Sequence, residues 1–322
     1  MKRTLVTGGT GFVGANLVRR LLNDGYEVHL LVRQGYNPWR IESIRDSVQL
    51  HEVDLTDKAS LINMVQTVRP DWVFHLAAYG AYSSQTDLDQ MVQTNVIGTL
   101  NLVEACLQVG IESFINAGSS SEYGFKDHAP AEDASVDPNS NYSVTKVSAS
   151  QFCRYRSQAS GTPLTTLRLY SVYGAFEEPT RLLPTLIVKG LAGELPPLVN
   201  PTIARDYVYI EDVSDAFLQV AQAEEPELGA IYNVGSGVQT SLSDVVEVAR
   251  DLLHIEAEPQ WGSMPDRRWD TSIWVADHRR ISAALGWQPK FAFRAGFQAM
   301  IDWLATTPSM RDFYKTHRLL PV

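Results

Sequence analysis

Two cysteines in 322 residues, Cys106 and Cys153, stand far apart with no CxxC spacing. They supply neither a disulfide framework nor a thiolate metal site, and such usage suits a reducing compartment, so a cytoplasmic location is expected. Histidine offers no second route to a metal, because the seven histidines are scattered and none forms an HExxH pair. Positive charge is also scarce. Lys and Arg number 27 against 37 Asp and Glu, a formal net charge of -10, which leaves no basic footprint for nucleic acid or an anionic membrane. An anionic ligand must therefore meet local positive charge. No uninterrupted apolar run approaches the ~18 residues that a bilayer span needs. The basic start Met1-Lys2-Arg3 imitates a signal peptide, but Gly8, Gly9, Gly11 and Gly14 fall where its apolar segment should run, and a first strand is expected instead.

What is present reads as a globular α/β chain. With 44% hydrophobic and 20% charged residues, the length accommodates one large or two modest domains. Over the first 170 residues, short β-branched runs alternate with helical patterns, which argues for repeated βαβ units and a doubly wound parallel sheet of Rossmann type. Strands are expected at 3–7, 27–32, 48–53, 71–76, 113–117 and 164–169, and helices at 12–24, 57–69, 88–109 and 141–160, with Gly25 and Gly110 as helix ends. After Tyr170 the regularity breaks at Pro179, Pro184, Pro196, Pro197 and Pro201, and only 241–253 and 277–285 look helical again. The expected division is a dinucleotide-binding domain at 1–170 and a smaller mixed lobe, mostly substrate-binding, at 171–322, with the ligand in the cleft between them.

The segment Thr7-Gly8-Gly9-Thr10-Gly11-Phe12-Val13-Gly14 follows the first strand and opens the first helix. That context is the one a dinucleotide fingerprint requires, although the spacing is G-x-x-G-x-x-G. Glycines let backbone approach a pyrophosphate, and the N–H groups of a helix start attract its charge. At the end of the second strand an acid would accept from a ribose 2'-hydroxyl, whereas an arginine pairs a 2'-phosphate. Here Val32-Arg33-Gln34 carries no acid, so NADP(H) read by Arg33 is favoured, with NAD(H) the alternative.

Tyr142 and Lys146 stand four residues apart, on one face of a helix. A nearby ammonium favours phenolate, so Lys146 is expected to lower the Tyr142 pKa toward the range useful for proton transfer.

These motifs, with Asp54-Leu55, His75-Leu76-Ala77-Ala78 and Gly118-Ser119-Ser120-Ser121-Glu122-Tyr123-Gly124, resemble over nearly the whole chain the extended short-chain dehydrogenase/reductase family of nucleotide-sugar epimerases, dehydratases and reductases. The resemblance implies a catalytic set of Ser119, Tyr142 and Lys146. It also implies cofactor contacts from Gly8, Thr10, Gly11, Phe12, Val13, Gly14, Arg33, Asp54, Leu55, Leu76, Ala77 and Ala78, shared by Tyr142 and Lys146. Ser120, Ser121, Ser171, Arg205, Arg267 and Asp270 would face a nucleotide-diphosphate sugar, and arginine forks suit its phosphates. A homodimer through the helices at 88–109 and 141–160 is implied too.

Two departures narrow the chemistry. Where many members carry Asn-Val-Tyr-Gly, this chain has Ser171-Val172-Tyr173-Gly174. Where the 4,6-dehydratases carry carboxylates after the triad hydroxyl, it has Ser120 and Ser121, with Glu122 one place late. The reading is hydride transfer at C4 of a nucleotide-linked hexose, by a 4-keto-6-deoxyhexose 4-reductase or alternatively a 4-epimerase with retained NAD, with 4,6-dehydration disfavoured. A non-catalytic NADP(H) sensor on the same fold is disfavoured because Tyr142 and Lys146 are both present.

Overall fold

A computed structural model describes residues 1–82, 84–265 and 271–317. The elements run β1 (Arg3–Thr7), α1 (Phe12–Asn23), β2 (Glu27–Val32), β3 (Gln49–Glu52), α2 (Lys58–Val68), β4 (Trp72–His75), α3 (Leu88–Val92), α4 (Gly98–Val109), β5 (Ser113–Ser119), α5 (Asn141–Ser160) and β6 (Leu164–Leu169). Then follow β7 (Ser171–Tyr173), α6 (Leu182–Gly190), β8 (Ala204–Tyr209), α7 (Ile210–Ala221), β9 (Ile231–Val234), β10 (Gln239–Ser241), α8 (Leu242–Leu253), α9 (Arg279–Leu285), α10 (Phe293–Thr306) and α11 (Pro308–His317). No described helix is long and apolar enough to cross a membrane.

Seven parallel strands form one sheet in the order β3-β2-β1-β4-β5-β6-β9. Alternation along each strand sends neighbours to opposite faces. Val6, Leu30, Phe74 and Ile115 pack against α1, α7 and α9, while Leu5, Leu31, Val73 and Phe114 pack against α2, α4 and α5. Both faces are therefore covered by helices, which is why the inner strands β1, β4, β5 and β6 are buried along most of their length. The expected Rossmann-type architecture holds, with strand ends shifted by a residue or two. Gly25 and Gly110 do end helices, at φ 81° and 73°.

The chain beyond residue 170 is more regular than its prolines suggest. It builds a second sheet, β10-β8-β7, parallel between β7 and β8 and antiparallel between β8 and β10. Its aromatic and aliphatic core gathers α6, α8, α10 and α11 around Tyr173 and Tyr209. It also returns β9 to the edge of the first sheet, beside β6, and α7 to its face beside α1. The boundary at residue 170 is thus crossed by two later elements.

The helix expected at 88–109 is interrupted. Residues Gln93–Ile97 form a π turn between α3 and α4, a device that displaces one residue from the helical register. Within that turn Asn95 is buried.

Asn233 on β9 shows how the returning strand is held. Its side-chain amide donates to Pro130 O at 2.9 Å and Asp277 O at 3.0 Å, its oxygen accepts from the Tyr123 hydroxyl at 2.8 Å, and its backbone N–H donates to Glu132 at 2.9 Å. Asn233→Ala should lower unfolding stability by about 2–4 kcal/mol, because it orphans three buried groups. Urea denaturation measures this, and a loss under ~0.5 kcal/mol would show that β9 is not anchored this way.

Candidate active site

The site is built at the carboxyl ends of the parallel strands, where a doubly wound sheet opens its crevice. β1 runs into the glycine loop and then α1. Gly8 turns with φ +68°, and a Cβ on it would lie 2.5 Å from Ala77 N and from the Leu76 carbonyl carbon. A Cβ on Gly14 would lie 2.2 Å from Gly8 O. Only glycine permits this backbone-on-backbone stacking. Thr7 fastens the far side: Leu76 N donates to its carbonyl at 3.1 Å and Ala77 N to its hydroxyl at 3.2 Å. The helix start itself is left available to an anion, since Gly11 caps α1 without a side chain and no acid stands in the first turn.

Around this cradle lie the other residues expected to meet a cofactor. Asp54 spends one oxygen on the Thr56 N–H at 2.8 Å and hydroxyl at 2.6 Å. Leu55 is buried under Gly98, and its carbonyl accepts from Asn101 at 3.0 Å. Ala78 is exposed beyond β4, and Arg33 is exposed directly after β2, its carbonyl turning onto Tyr36 N. Cradle, uncapped helix start and exposed Arg33 together fit a dinucleotide.

β5 ends in Ser119, which caps a single 3-10 turn, Ser120–Tyr123. The carboxylate of Glu122, with none of its surface exposed, accepts from Ser119 N at 2.9 Å and from the Ser150 hydroxyl at 3.0 Å. Its other oxygen pairs with Arg168 Nε at 2.9 Å. Glu122 thus ties β5, α5 and β6 together. Ser119 and Ser121 share a hydroxyl hydrogen bond at 2.8 Å, and the Ser120 hydroxyl accepts from Trp274 Nε1 at 3.2 Å.

α5 begins on a Ser140–Ser143 capping box and presents Tyr142 and Lys146 on one face. Lys146 is buried, and its ammonium donates to Ala117 O at 2.5 Å. Burial lowers its pKa while the Glu122 charge raises it. The expected lowering of the Tyr142 pKa is not realised. Burial pushes the phenol up to about 12 and Glu122 adds to the rise, while a hydrogen bond with Ser119 and the nearby Arg181 oppose it. Desolvation outweighs the favourable neighbours, so the phenol holds its proton at neutral pH.

Several neighbours escaped the sequence reading. Asn95 accepts from Tyr79 N at 2.8 Å and donates to Tyr79 O at 2.8 Å and to the Thr145 hydroxyl at 2.9 Å, joining the loop after β4 to α5. His75 is hydrogen-bonded to the hydroxyls of Thr7 at 2.7 Å and Thr99 at 2.8 Å, and burial drives its pKa down to about 3, so it stays neutral. In the loop after β4, a Cβ on Gly80 would stand 3.2 Å from the Tyr142 ring, and Arg181 lies over the Tyr82 ring at 5.1 Å.

On the substrate side, Arg205 of β8 donates to Ala204 O at 2.7 Å and faces the Trp274 ring at 5.8 Å. Ser171 lies in register with Tyr207, at the junction of the two sheets. Arg267 and Asp270 lie outside the described residues.

The model of the NAD dependent epimerase/dehydratase family matches residues 4–235. The chain belongs to that family. Its relatives in this extended short-chain dehydrogenase/reductase group include the dTDP-glucose 4,6-dehydratase of Neisseria meningitidis, 28% identical, with 94% of this chain and 93% of that protein aligned. The UDP-glucose 4-epimerase of Mycolicibacterium smegmatis is 29% identical, covering 94% and 98%. Among solved structures, the UDP-glucose 4-epimerase of Thermus thermophilus in complex with NAD superposes with a TM-score of 0.82 at 29% identity, covering 93% of this chain and 98% of that one.

Within this family member, the buried Glu122–Arg168 pair is a structural element, and removing one partner of such a pair leaves an uncompensated charge. Glu122→Ala should therefore cost about 3–5 kcal/mol of stability, read by chemical denaturation. Unchanged stability with selectively lost turnover would instead make Glu122 a proton carrier.

Proposed function

We propose that the chain transfers hydride at C4 of a nucleotide-linked hexose, as an NDP-4-keto-6-deoxyhexose 4-reductase. The observation that carries this reading is the content of the 119–123 turn. Elimination of water across C5 and C6 needs a base for the C5 proton and an acid for the departing hydroxyl. Ser120 and Ser121 stand there, serine is neutral, and the neighbouring Glu122 carboxylate is sequestered against Arg168. What remains is suited to adding or removing a hydrogen at a single carbon.

A bound dinucleotide supplies or accepts the hydride through its nicotinamide. In this reading Gly8, Thr10, Gly11, Phe12, Val13 and Gly14 hold its pyrophosphate, Asp54 and Leu55 its adenine, Leu76 to Ala78 its backbone, and Lys146 its nicotinamide ribose. Tyr142 gives its proton to O4 while Ser119 hydrogen-bonds the same oxygen. The Tyr142 phenol, raised by burial, is protonated at neutral pH, as a proton donor to O4 must be. Arg205, with Arg267 and Asp270, grips the diphosphate and the nucleoside ribose, and Ser171 meets the sugar. Arg33 pairs the 2'-phosphate of NADPH.

A 4-epimerase that retains NAD is the second reading, favoured by the UDP-glucose 4-epimerases among the relatives and by the NAD in the Thermus thermophilus structure. The dinucleotide that co-purifies separates the two: tightly held NAD supports the epimerase, loosely held NADP(H) the reductase. The location proposed is cytoplasmic. A homodimer through α3, α4 and α5 is supported by the exposed Leu88, Val92, Val144 and Tyr155.

Two substitutions test the assignment. Tyr142→Phe should lower NADPH-dependent turnover of UDP- or dTDP-linked 4-keto-6-deoxyhexoses by ~10² to 10⁴ with cofactor binding little changed. Activity within threefold of wild type would falsify it. Arg33→Ala should weaken NADPH by roughly tenfold or more and spare NADH, since a charge-assisted contact is worth ~1.5–3 kcal/mol. Equal losses for both cofactors in a binding titration would remove Arg33 from the 2'-phosphate.

A further inference from the structure

Residues 271–276 belong to no helix or strand, yet they are fastened at almost every step to the second sheet. Ala204 N of β8 donates to Thr271 O at 3.0 Å, and the side-chain amide of Gln239 on β10 donates to Ser272 O at 2.8 Å. The backbone N–H of Trp274 donates to the oxygen of that same amide at 3.1 Å, and Ala276 N donates to the Asp206 carboxylate at 2.9 Å. Asp206, with none of its surface exposed, also accepts from the Ser236 N–H at 2.6 Å and the Gly237 N–H at 2.9 Å. Anchors on both sides of Trp274 fix the point from which its side chain departs.

That side chain crosses to the first lobe. The half-buried indole donates its Nε1–H to Ser120 Oγ at 3.2 Å, and its ring stands edge-on to Tyr170 at 6.5 Å. The Arg205 guanidinium lies 5.8 Å from the ring, within cation–π range. Ser120 is the first residue of the turn that Ser119 caps. In that turn the Ser121 N–H donates to Ser119 Oγ at 3.2 Å and the Gly124 N–H to Ser121 O at 3.1 Å. An indole serves both contacts at once, since its face attracts a cation and its one N–H needs a partner where water is shielded. We infer that Trp274 is a positioning residue: with its ring against Arg205 and its N–H on Ser120, it makes capture of the substrate diphosphate by the second lobe set the Ser119 turn for hydride transfer. The inference rests on the function proposed above.

Two substitutions separate the contacts. Trp274→Phe keeps a ring against Arg205 and loses the N–H, whereas Trp274→Leu loses both. The first should lower kcat by about five- to tenfold, the worth of one neutral hydrogen bond felt at the reacting centre, and leave nucleotide binding within about twofold. The second should in addition weaken nucleoside diphosphate binding by about threefold or more, because the cation–π contact is gone. A tryptophan that only filled space would show no such division, since phenylalanine would replace it without loss of kcat.

The test is amide hydrogen exchange of residues 118–124, read by mass spectrometry with and without a saturating nucleoside diphosphate, taking whichever of UDP, dTDP, GDP and CDP binds most tightly. In wild type the diphosphate should slow exchange of this segment by about threefold or more, and in Trp274→Phe, equally saturated, it should leave the rate unchanged. Equal protection in the two proteins, no protection in wild type, failure of all four diphosphates to bind, or a Trp274→Phe kcat within about twofold of wild type overturns the proposal. Should wild type reduce no 4-keto-6-deoxyhexose while the Trp274-dependent protection is seen, the reductase reading fails and the positioning role stands. Should Trp274→Phe not fold, Ser120→Ala removes the same bond from its other end, and protection that persists in that variant overturns the proposal.

Discussion

Behind the candidate catalytic tyrosine, one fully buried carboxylate receives hydrogen bonds from Ser119, Ser150 and Arg168. Most of what the site does depends on this convergence at Glu122. It closes the turn that aims Ser119, it fixes α5 against β5 and β6, and its charge acts on both Lys146 and Tyr142. The same commitment removes it from acid or base work on a substrate. A buried ion pair of this kind adds little net stability compared with apolar packing, but it is costly to break. Its value here lies in placing the turn.

The cofactor side rests on a different constraint, close approach of backbone to backbone. Gly8 and Gly14 leave room for the carbonyl and amide groups of neighbouring loops where any Cβ would collide. Thr7 then links this loop to the end of β4 through its own hydroxyl, which also meets His75. Because His75 is neutral and saturated by two hydroxyls, it stabilises the crevice floor without adding charge beneath the site. The second lobe meets this crevice through Trp274, whose ring N–H reaches Ser120.

Legibility in the sequence followed the range of the interactions. The parallel sheet, the glycine loop and the Tyr142–Lys146 helix face were readable because each is set by local periodicity or by spacing within a few residues. The family resemblance added Ser119. Three features were not readable. The π turn at Asn95 gains its stability from Tyr79 and Thr145, distant in sequence. The return of β9 to the first sheet depends on Asn233 meeting groups about a hundred residues earlier. The direction of the Tyr142 shift was misjudged because an i,i+4 ammonium is visible in sequence, whereas burial and the Glu122 charge are not. Arg181 was missed for the same reason, since its place over the Tyr82 ring is set by packing across about a hundred residues.

The central claim is hydride delivery to a single sugar carbon with no loss of water. Its most direct measurement uses NADPH carrying deuterium at C4 of the dihydronicotinamide, incubated with UDP- and dTDP-linked 4-keto-6-deoxyhexoses, with the product read by proton NMR and mass. The account predicts one deuterium at sugar C4 per turnover and an otherwise unchanged carbon skeleton. A product free of deuterium at C4, or the appearance of a 4-keto-6-deoxy sugar from an intact nucleotide-hexose with loss of a water molecule, would contradict it.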